Sequence, residues 1–313
     1  TDLVYAGKRT GSWIEGWTDV IEVTQLNVYP IKGCRGTALQ SMEVDARGPT
    51  LDRRFMIVDT SGEFITQRRV PKLALLEPTW EGGRLTLHAP DMPELSVSGR
   101  AEESSQPSMT VRVWRFQGDA LRVSEEADAW LSEWLGFSCR LVGGGSDLAR
   151  EANPEWAPDR TPIGFADGYP ILLLSEASLS ALNQGILDRD PSAQPMPMAR
   201  FRPNIVVRGC EPFAEDDWVR IRLGEVELEV VKPCDRCAVT TVDPKTAERG
   251  EEPLITLAAM RKSREGVLFG QNCVPRAVGT VGVKQEVQIL EAGGIERLPE
   301  AWRVSPSQTE PGS

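Results

Sequence analysis

The sequence predicts an α+β, strand-rich protein made of two strand-rich halves with a few helices. Two observations predict it. Short segments of alternating apolar and polar residues recur in both halves, and that period of two is the mark of half-buried strands. Helical spacing with recognisable start signals occurs in three short stretches only. With 313 residues, 40% of them hydrophobic, the chain can bury one large or two ordinary domains.

Residues 1–20 have no clear period and are read as an irregular lead-in. The first domain is expected over 21–142, a linker or ordered crossover over 143–165, the second domain over 166–292 and a tail over 293–313. "IEVTQLNVYPIKG" alternates and stops at Pro30, as a strand does. "RRFMIVDTSGEFITQRR" reads as a hairpin turning at Ser61 and Gly62; "GRLTLHAP", "MTVRVWRF" and "DALRVS" continue the strands. Ser124 caps a helix with Glu125, Glu126 and Asp128 in its first turn, an apolar stripe through Ala127, Trp130, Leu131, Trp134 and Leu135, and a stop at Gly136. "YPILLLS" is a buried strand, and Ser175 caps the second helix. "FRPNIVVRG" is a strand, and "WVRIRLGEVELEVV" is a hairpin turning at Gly224–Glu225. Pro253 opens the third helix, "VGTVGVKQEVQIL" closes the second half, and the "SPSQTEPGS" tail is expected to be disordered.

The formal net charge of −11 argues against a nucleic-acid binder, yet 35 Lys and Arg remain to build local basic pockets. No run of about 18 apolar residues exists to span a bilayer. The chain opens on Thr1 rather than Met, which leaves room for a preceding anchor or targeting segment. Six sparse cysteines read as reduced thiols of an intracellular protein. The single histidine, His88, sits at a strand end and removes Cys-His and Ser-His-Asp catalysis. Neither a P-loop nor a dinucleotide glycine signature occurs.

The stretch with chemistry is "VVKPCDRCAVTTVDP". Cys234 and Cys237 could be half of a zinc site, but no second C-x-x-C or histidine pair completes it. A redox C-x-x-C would open a helix, whereas β-branched residues and a turn follow here. A soft thiolate site for another metal and two structural cysteines stay open. Lys32 in "YPIKG", Arg54 in "LDRRF", and Arg202 and Asn204 in "RFRPN" stand at strand ends and together could hold an anion and an amide-rich ring. Those of the first half would have to fold back across a domain interface.

In order, "VYPIKGCRG", "RRFMIVD", "ILLLSEASL", "RFRPNIVV", "KPCDRCAVTTVDP" and "LFGQN" resemble the MOSC-domain molybdenum enzymes, the amidoxime-reducing components above all, across roughly residues 22–290. The resemblance implies an N-terminal MOSC β-barrel domain followed by a C-terminal MOSC β-barrel domain binding the molybdenum cofactor, Mo-molybdopterin. It implies that Cys237 is the metal ligand and catalytic residue. Lys32, Gly33, Arg54, Arg202 and Asn204 would hold the molybdopterin and its phosphate, with Asp235 and Arg236 beside the ligand and Gly168 and Tyr169 giving further contacts. Gly33 departs from the serine frequent in the family and removes a hydroxyl from the phosphate site.

The implied activity is reduction of amidoximes, hydroxylamines and N-hydroxylated bases by oxygen-atom transfer to the metal, with nitrite to nitric oxide as a further reaction. Lacking flavin, haem or iron–sulfur motifs, the chain needs an external electron donor. The resemblance implies cytochrome b5 with NADH-cytochrome b5 reductase, or nitrate reductase for nitrite. Arg68, Arg69 and Lys72 are candidates for a donor-docking patch. The alternatives are a sulfur carrier with a persulfide on Cys237, or a cofactor storage or transfer protein. The chain is expected to be a cytoplasmic monomer, or a protein of the mitochondrial outer membrane if an anchor preceded Thr1.

Overall fold

The computed structural model describes residues 20–99, 107–145, 148–157 and 160–305. The expected lead-in and most of the "SPSQTEPGS" tail lie outside the described residues. In the first half the strands are β1 Glu22–Val28, β2 Thr37–Leu39, β3 Ser41–Asp45, β4 Gly48–Pro49, β5 Phe55–Asp59, β6 Glu77–Glu81, β7 Arg84–His88, β8 Leu95–Ser98, β9 Ser108–Val113 and β10 Phe116–Arg122, then helix α1 Glu125–Leu135 and β11 Cys139–Gly143. The second half runs β12 Ile171–Ser175, α2 Glu176–Arg189, β13 Ile205–Arg208, β14 Trp218–Leu223, β15 Val226–Asp235, α3 Leu254–Met260, β16 Lys262–Ser263, β17 Gly266–Ala277, β18 Gly279–Gly282, β19 Val287–Ala292 and α4 Gly294–Arg297. The strand-rich α+β class expected from the sequence is what the chain adopts.

A nine-stranded sheet runs β19-β14-β15-β17-β12-β13-β1-β2, with β16 on β17. β1 pairs antiparallel with β13, so the first strands of the chain complete the sheet of the second half. β18 pairs with β3 rather than with its sequence neighbours, in a three-stranded sheet with β4. The sheet β5-β11-β10-β9 and the sheet β6-β7-β8 make the remainder of the first half. β12 and β13 are parallel, joined by α2 as a crossover requires.

Each element follows from local chemistry. The Ser124 hydroxyl accepts from the Ala127 N–H, and Gly136 ends α1 at φ +80°. Ala127, Trp130, Leu131 and Trp134 bury the inner face of α1 against Leu85, Leu87, Leu95 and Leu141. Each large side chain contributes about 1.5–3 kcal/mol by leaving water. β12 is buried on both faces, as its unbroken "ILLLS" predicts. Val226 and Leu228 of β15 meet Ile221 and Leu223 of β14 in the second core, which Val23, Leu26, Val28, Met42 and Val44 of the first strands also enter.

Two segments are more ordered than their composition suggests. The polar crossover places Ala152, Ala157 and Ile163 in a small core with Val274. Residues 293–305 include α4 and a 3-10 turn at Glu300–Trp302. Trp302 packs edge-on to Trp156 with centroids 5.6 Å apart and lies 3.9 Å from the Lys232 ammonium. Among the described residues no helix is long and apolar enough to cross a membrane.

Candidate active site

A cleft of about 740 Å³ opens between the two halves. Lys32, Gly33, Gly168, Tyr169, Arg202, Asn204, Asp235, Arg236 and Cys237 all line it, so residues more than two hundred positions apart converge there. Arg54 does not. Its Nε donates to Thr50 O (2.7 Å) and its guanidinium reaches Asp45 Oδ2 at 2.8 Å, away from the cleft. Arg53 lines the cleft instead, from a backbone at φ +46°. The strand pattern cannot distinguish the two, because Arg53 sits at a left-handed position just outside β5, where alternation has no hold.

The arginines are held as a stack. The Arg53 and Arg202 guanidiniums each lie 4.3 Å from the Tyr29 ring centroid. Arg202 is also left-handed, at φ +59°. Left-handed backbone in non-glycine residues is costly and persists where surrounding contacts enforce it. Here the Tyr29 hydroxyl donates to Pro203 O (3.2 Å), the Arg202 guanidinium donates to Cys34 O (2.6 Å), and Arg53 donates to Asn204 Oδ1 (3.1 Å) and pairs with Asp52. Burial pushes the Tyr29 phenol up to about 12, so the ring stays neutral. Burial and the Arg53 charge together push Arg202 below its ordinary value. A half-buried cation beside a second cation, with no carboxylate bonded to it among the described residues, suits an anionic ligand.

Asn204 has its four hydrogen-bonding positions in use within the protein. Its amide donates to Asn27 O (3.1 Å) and Asp52 Oδ1 (2.9 Å), and its oxygen accepts from the Leu172 N–H and from Arg53, both at 3.1 Å. It therefore braces β1, β12 and Arg53. Lys32 is buried and donates to Phe165 O (2.8 Å) and Asp167 Oδ1 (2.5 Å). Burial pushes the Lys32 ammonium down, and Asp167 opposes that. Gly33 adopts φ +80°, and a Cβ there would come no closer than 3.6 Å to Leu73; a serine has room but pays backbone strain of about 1–2 kcal/mol. Gly168 has no such constraint, since a Cβ on it would meet nothing within 4 Å.

Cys237 opens the 3-10 turn Ala238–Thr241, which explains the "TTVDP" signature. Its carbonyl accepts from both the N–H and the hydroxyl of Thr240 at 3.0 Å, and Thr241 bonds back to Ala238 O. Asp243 Oδ1 caps the following turn by accepting from the Lys245 and Thr246 N–H groups. Arg200 pins this loop through Thr241 O (3.0 Å) and Asp243 (2.9 Å), and Arg35 through Pro244 O (2.7 Å). Arg236 donates to Cys234 Sγ (2.9 Å) and Phe201 O (2.7 Å), while its buried Nε has no acceptor among the described residues. Asp235 accepts from Lys232 at 3.0 Å.

All six cysteines are free thiols, so Cys234 and Cys237 form no disulfide. Among the described residues no three His, Cys, Asp or Glu side chains group into a metal site, which leaves a zinc half-site without completion. Sequence reasoning missed Arg53, Trp114, Arg150 and Asp167. Arg150 is buried in the crossover, a segment that its polar composition marks only as a linker; it donates to Gly164 O and Asp167 O, and burial pushes it down to about 10. His88 ends β7 beside Glu94 (3.4 Å), far from this chemistry in role.

Residues 20–138 match the family described as the MOSC N-terminal beta barrel domain, and residues 160–288 match the MOSC domain. The chain is 34% identical over 299 residues to mitochondrial amidoxime-reducing component 1 of Xenopus laevis, covering 90% of this chain and 85% of that protein. It is 32% identical over 285 residues to the Homo sapiens protein of the same name, covering 86% and 82%. It is also 30% identical over 284 residues to the molybdenum cofactor sulfurase of Danio rerio, covering 84% of this chain but 32% of that protein. The first two relatives are named as mitochondrial, which overturns the cytoplasmic expectation; composition and the lack of an apolar run carry no address.

Proposed function

Because the chain belongs to the amidoxime-reducing component family of MOSC-domain proteins, we propose that it is a molybdenum-cofactor-dependent reductase of N-hydroxylated compounds. Amidoximes, hydroxylamines and N-hydroxylated bases are the proposed substrates. One observation carries the reading within this chain. A protein of net charge −11 concentrates seven cationic side chains against two carboxylates around one cleft, with the Cys237 thiol in its wall.

The residues fit the cofactor. A phosphate is a multiply charged acceptor, and the buried Lys32 with the half-buried Arg53 and Arg202 are donors that suit it. The leftover Arg236 Nε is a further donor near Cys237. Cys237 would ligate the metal, and a metal-bound thiol is deprotonated outright. Bound there, the cofactor supplies two-electron oxygen-atom chemistry. The chain supplies the rest. Tyr29 holds two guanidiniums side by side, Asn204 and Asp52 orient Arg53, and Arg200 and Arg35 lock the loop that carries Cys237.

Electrons are proposed to come from an external protein, cytochrome b5 with its NADH-dependent reductase, and from nitrate reductase if nitrite is reduced. The test is the protein purified from a cofactor-competent host, analysed for molybdenum and pterin and assayed for benzamidoxime reduction. Stoichiometric metal with donor-driven turnover is expected; protein free of both metal and pterin would overturn the reading. Loaded protein that turns nothing over but transfers sulfur from Cys237 would favour the carrier role suggested by the sulfurase relatives.

A further inference from the structure

The two-residue turn between β9 and β10 is Trp114–Arg115, with Val113 paired to Phe116 across it. Trp114 adopts φ +55°. The first position of a tight hairpin with positive φ is usually glycine's, and a bulky side chain there is strained. Such strain persists where the fold enforces it and collects at functional sites. Trp114 is also one of the few large apolar residues left open, at 43% exposure, and it lines the cleft.

Three contacts fix the indole. Its N–H donates to Asp167 Oδ1 (3.1 Å), the same oxygen that accepts from Lys32. The Arg68 guanidinium lies 4.8 Å from its ring, and Phe64 meets it edge-on with centroids 4.9 Å apart. The result is an immobilised aromatic side chain, carried by a sheet that contributes nothing to the Cys237 loop. The cleft volume lies in the upper part of the ~300–1,000 Å³ range of small-molecule sites, room for more than a cofactor.

Resting on the proposed reductase reading, we propose that the Trp114 hairpin tip is a substrate shelf that selects N-hydroxylated compounds bearing a flat aryl group. The indole, backed by Arg68 and Phe64, receives the aryl ring, while the N-hydroxylated head lies toward Cys237. Small aliphatic and inorganic N–OH compounds have nothing to set against it, so they bind independently of Trp114. Arg68 thus belongs to the cleft rim.

The test compares wild type with Trp114→Phe and Trp114→Gly, each measured for molybdenum and pterin content. Benzamidoxime affinity is measured by calorimetry without an electron donor, and KM and kcat are measured for benzamidoxime and for hydroxylamine. W114G, which also relieves the backbone, should raise the benzamidoxime Kd and KM about tenfold with kcat nearly unchanged. Hydroxylamine parameters should move less than about twofold, and W114F should restore most of the aryl affinity. Should W114G load no cofactor, Trp114→Leu takes its place, with the same loss expected. Equal effects on both compounds, W114F as impaired as W114G, or no benzamidoxime binding by wild type would overturn the shelf. Trp114-dependent binding without any reduction would retain the shelf and overturn the reductase reading instead.

Discussion

Cys234 and Cys237 line the same cleft yet differ in surroundings: Cys234 accepts from Arg236, whereas Cys237 begins the turn clamped by Arg200 and Arg35. Cys237→Ala should therefore leave a folded, pterin-loaded protein without reductase activity, because the cations proposed to hold the cofactor are untouched. Cys234→Ala removes an acceptor from Arg236 and should lower activity about 10–100-fold, the usual effect of a residue supporting a ligand. Metal content and turnover of both variants decide it, and equal inactivation would reject the division of roles. The Arg53–Tyr29–Arg202 stack gives a second residue-scale expectation. Arg202→Gln should weaken cofactor retention about 10–100-fold, since a charge-assisted hydrogen bond contributes about 1.5–3 kcal/mol. The unloaded variant should melt within about 3 °C of unloaded wild type, because a lost stack is offset by removing a half-buried like charge beside Arg53. Full cofactor retention, or a large loss of unloaded stability, would refute this account.

At the scale of elements, the junction of β12 and α2 shows how a buried carboxyl is tolerated. Glu215 Oε1 accepts from the Ser175 N–H (3.1 Å) and the Ser178 hydroxyl (2.8 Å), while its buried Oε2 has no partner among the described residues. Burial raises this carboxyl above the ordinary glutamate value of 4.5 despite those bonds. The folded protein then holds the proton more tightly than the unfolded chain. Its stabilising effect is full below that ordinary value and is lost as pH rises through the raised one. Glu215→Gln keeps the acceptor without the charge. Urea melts at about pH 5 and about pH 8 should show a smaller fall in stability for the variant, by about 1.4 kcal/mol for every tenfold by which folding tightens the proton on Glu215. An unchanged pH slope would reject the role of Glu215. This junction was legible in advance, because Ser175 and the apolar "ILLLS" are local signals, as were α1 and the β14–β15 hairpin. The pairing of β18 with β3 was not, since nothing in either strand names a partner more than two hundred residues away. Arg53 and Asp167 escaped for the same reason. Their roles depend on a left-handed backbone and on a lysine from another loop, which period and composition do not encode. Lys32, Arg202 and the Cys237 loop could be found because their motifs are specific to a family.

For the whole molecule, the cleft exists because the chain's first strands are built into the sheet of its second half. Tyr29, Lys32 and Gly33 follow β1 directly, so pairing β1 with β13 brings them to Arg202 and Asn204, which precede β13. The same pairing makes the halves interdependent. Val23, Leu26, Val28, Met42 and Val44 are fully buried in the core shared with β12–β15. Together they contribute on the order of 10 kcal/mol, taking about 1.5–3 kcal/mol for each buried side chain. A domain's entire stability is about 5–15 kcal/mol, so the second half without these strands should not hold its fold. A fragment of residues 160–305, although it contains the whole matched MOSC domain, should lack a cooperative thermal transition and expose apolar surface to a dye. A fragment of residues 20–305 should unfold cooperatively and keep the cofactor. If the shorter fragment melts in a single sharp transition and retains pterin, the first strands are an accessory to the site rather than part of its foundation.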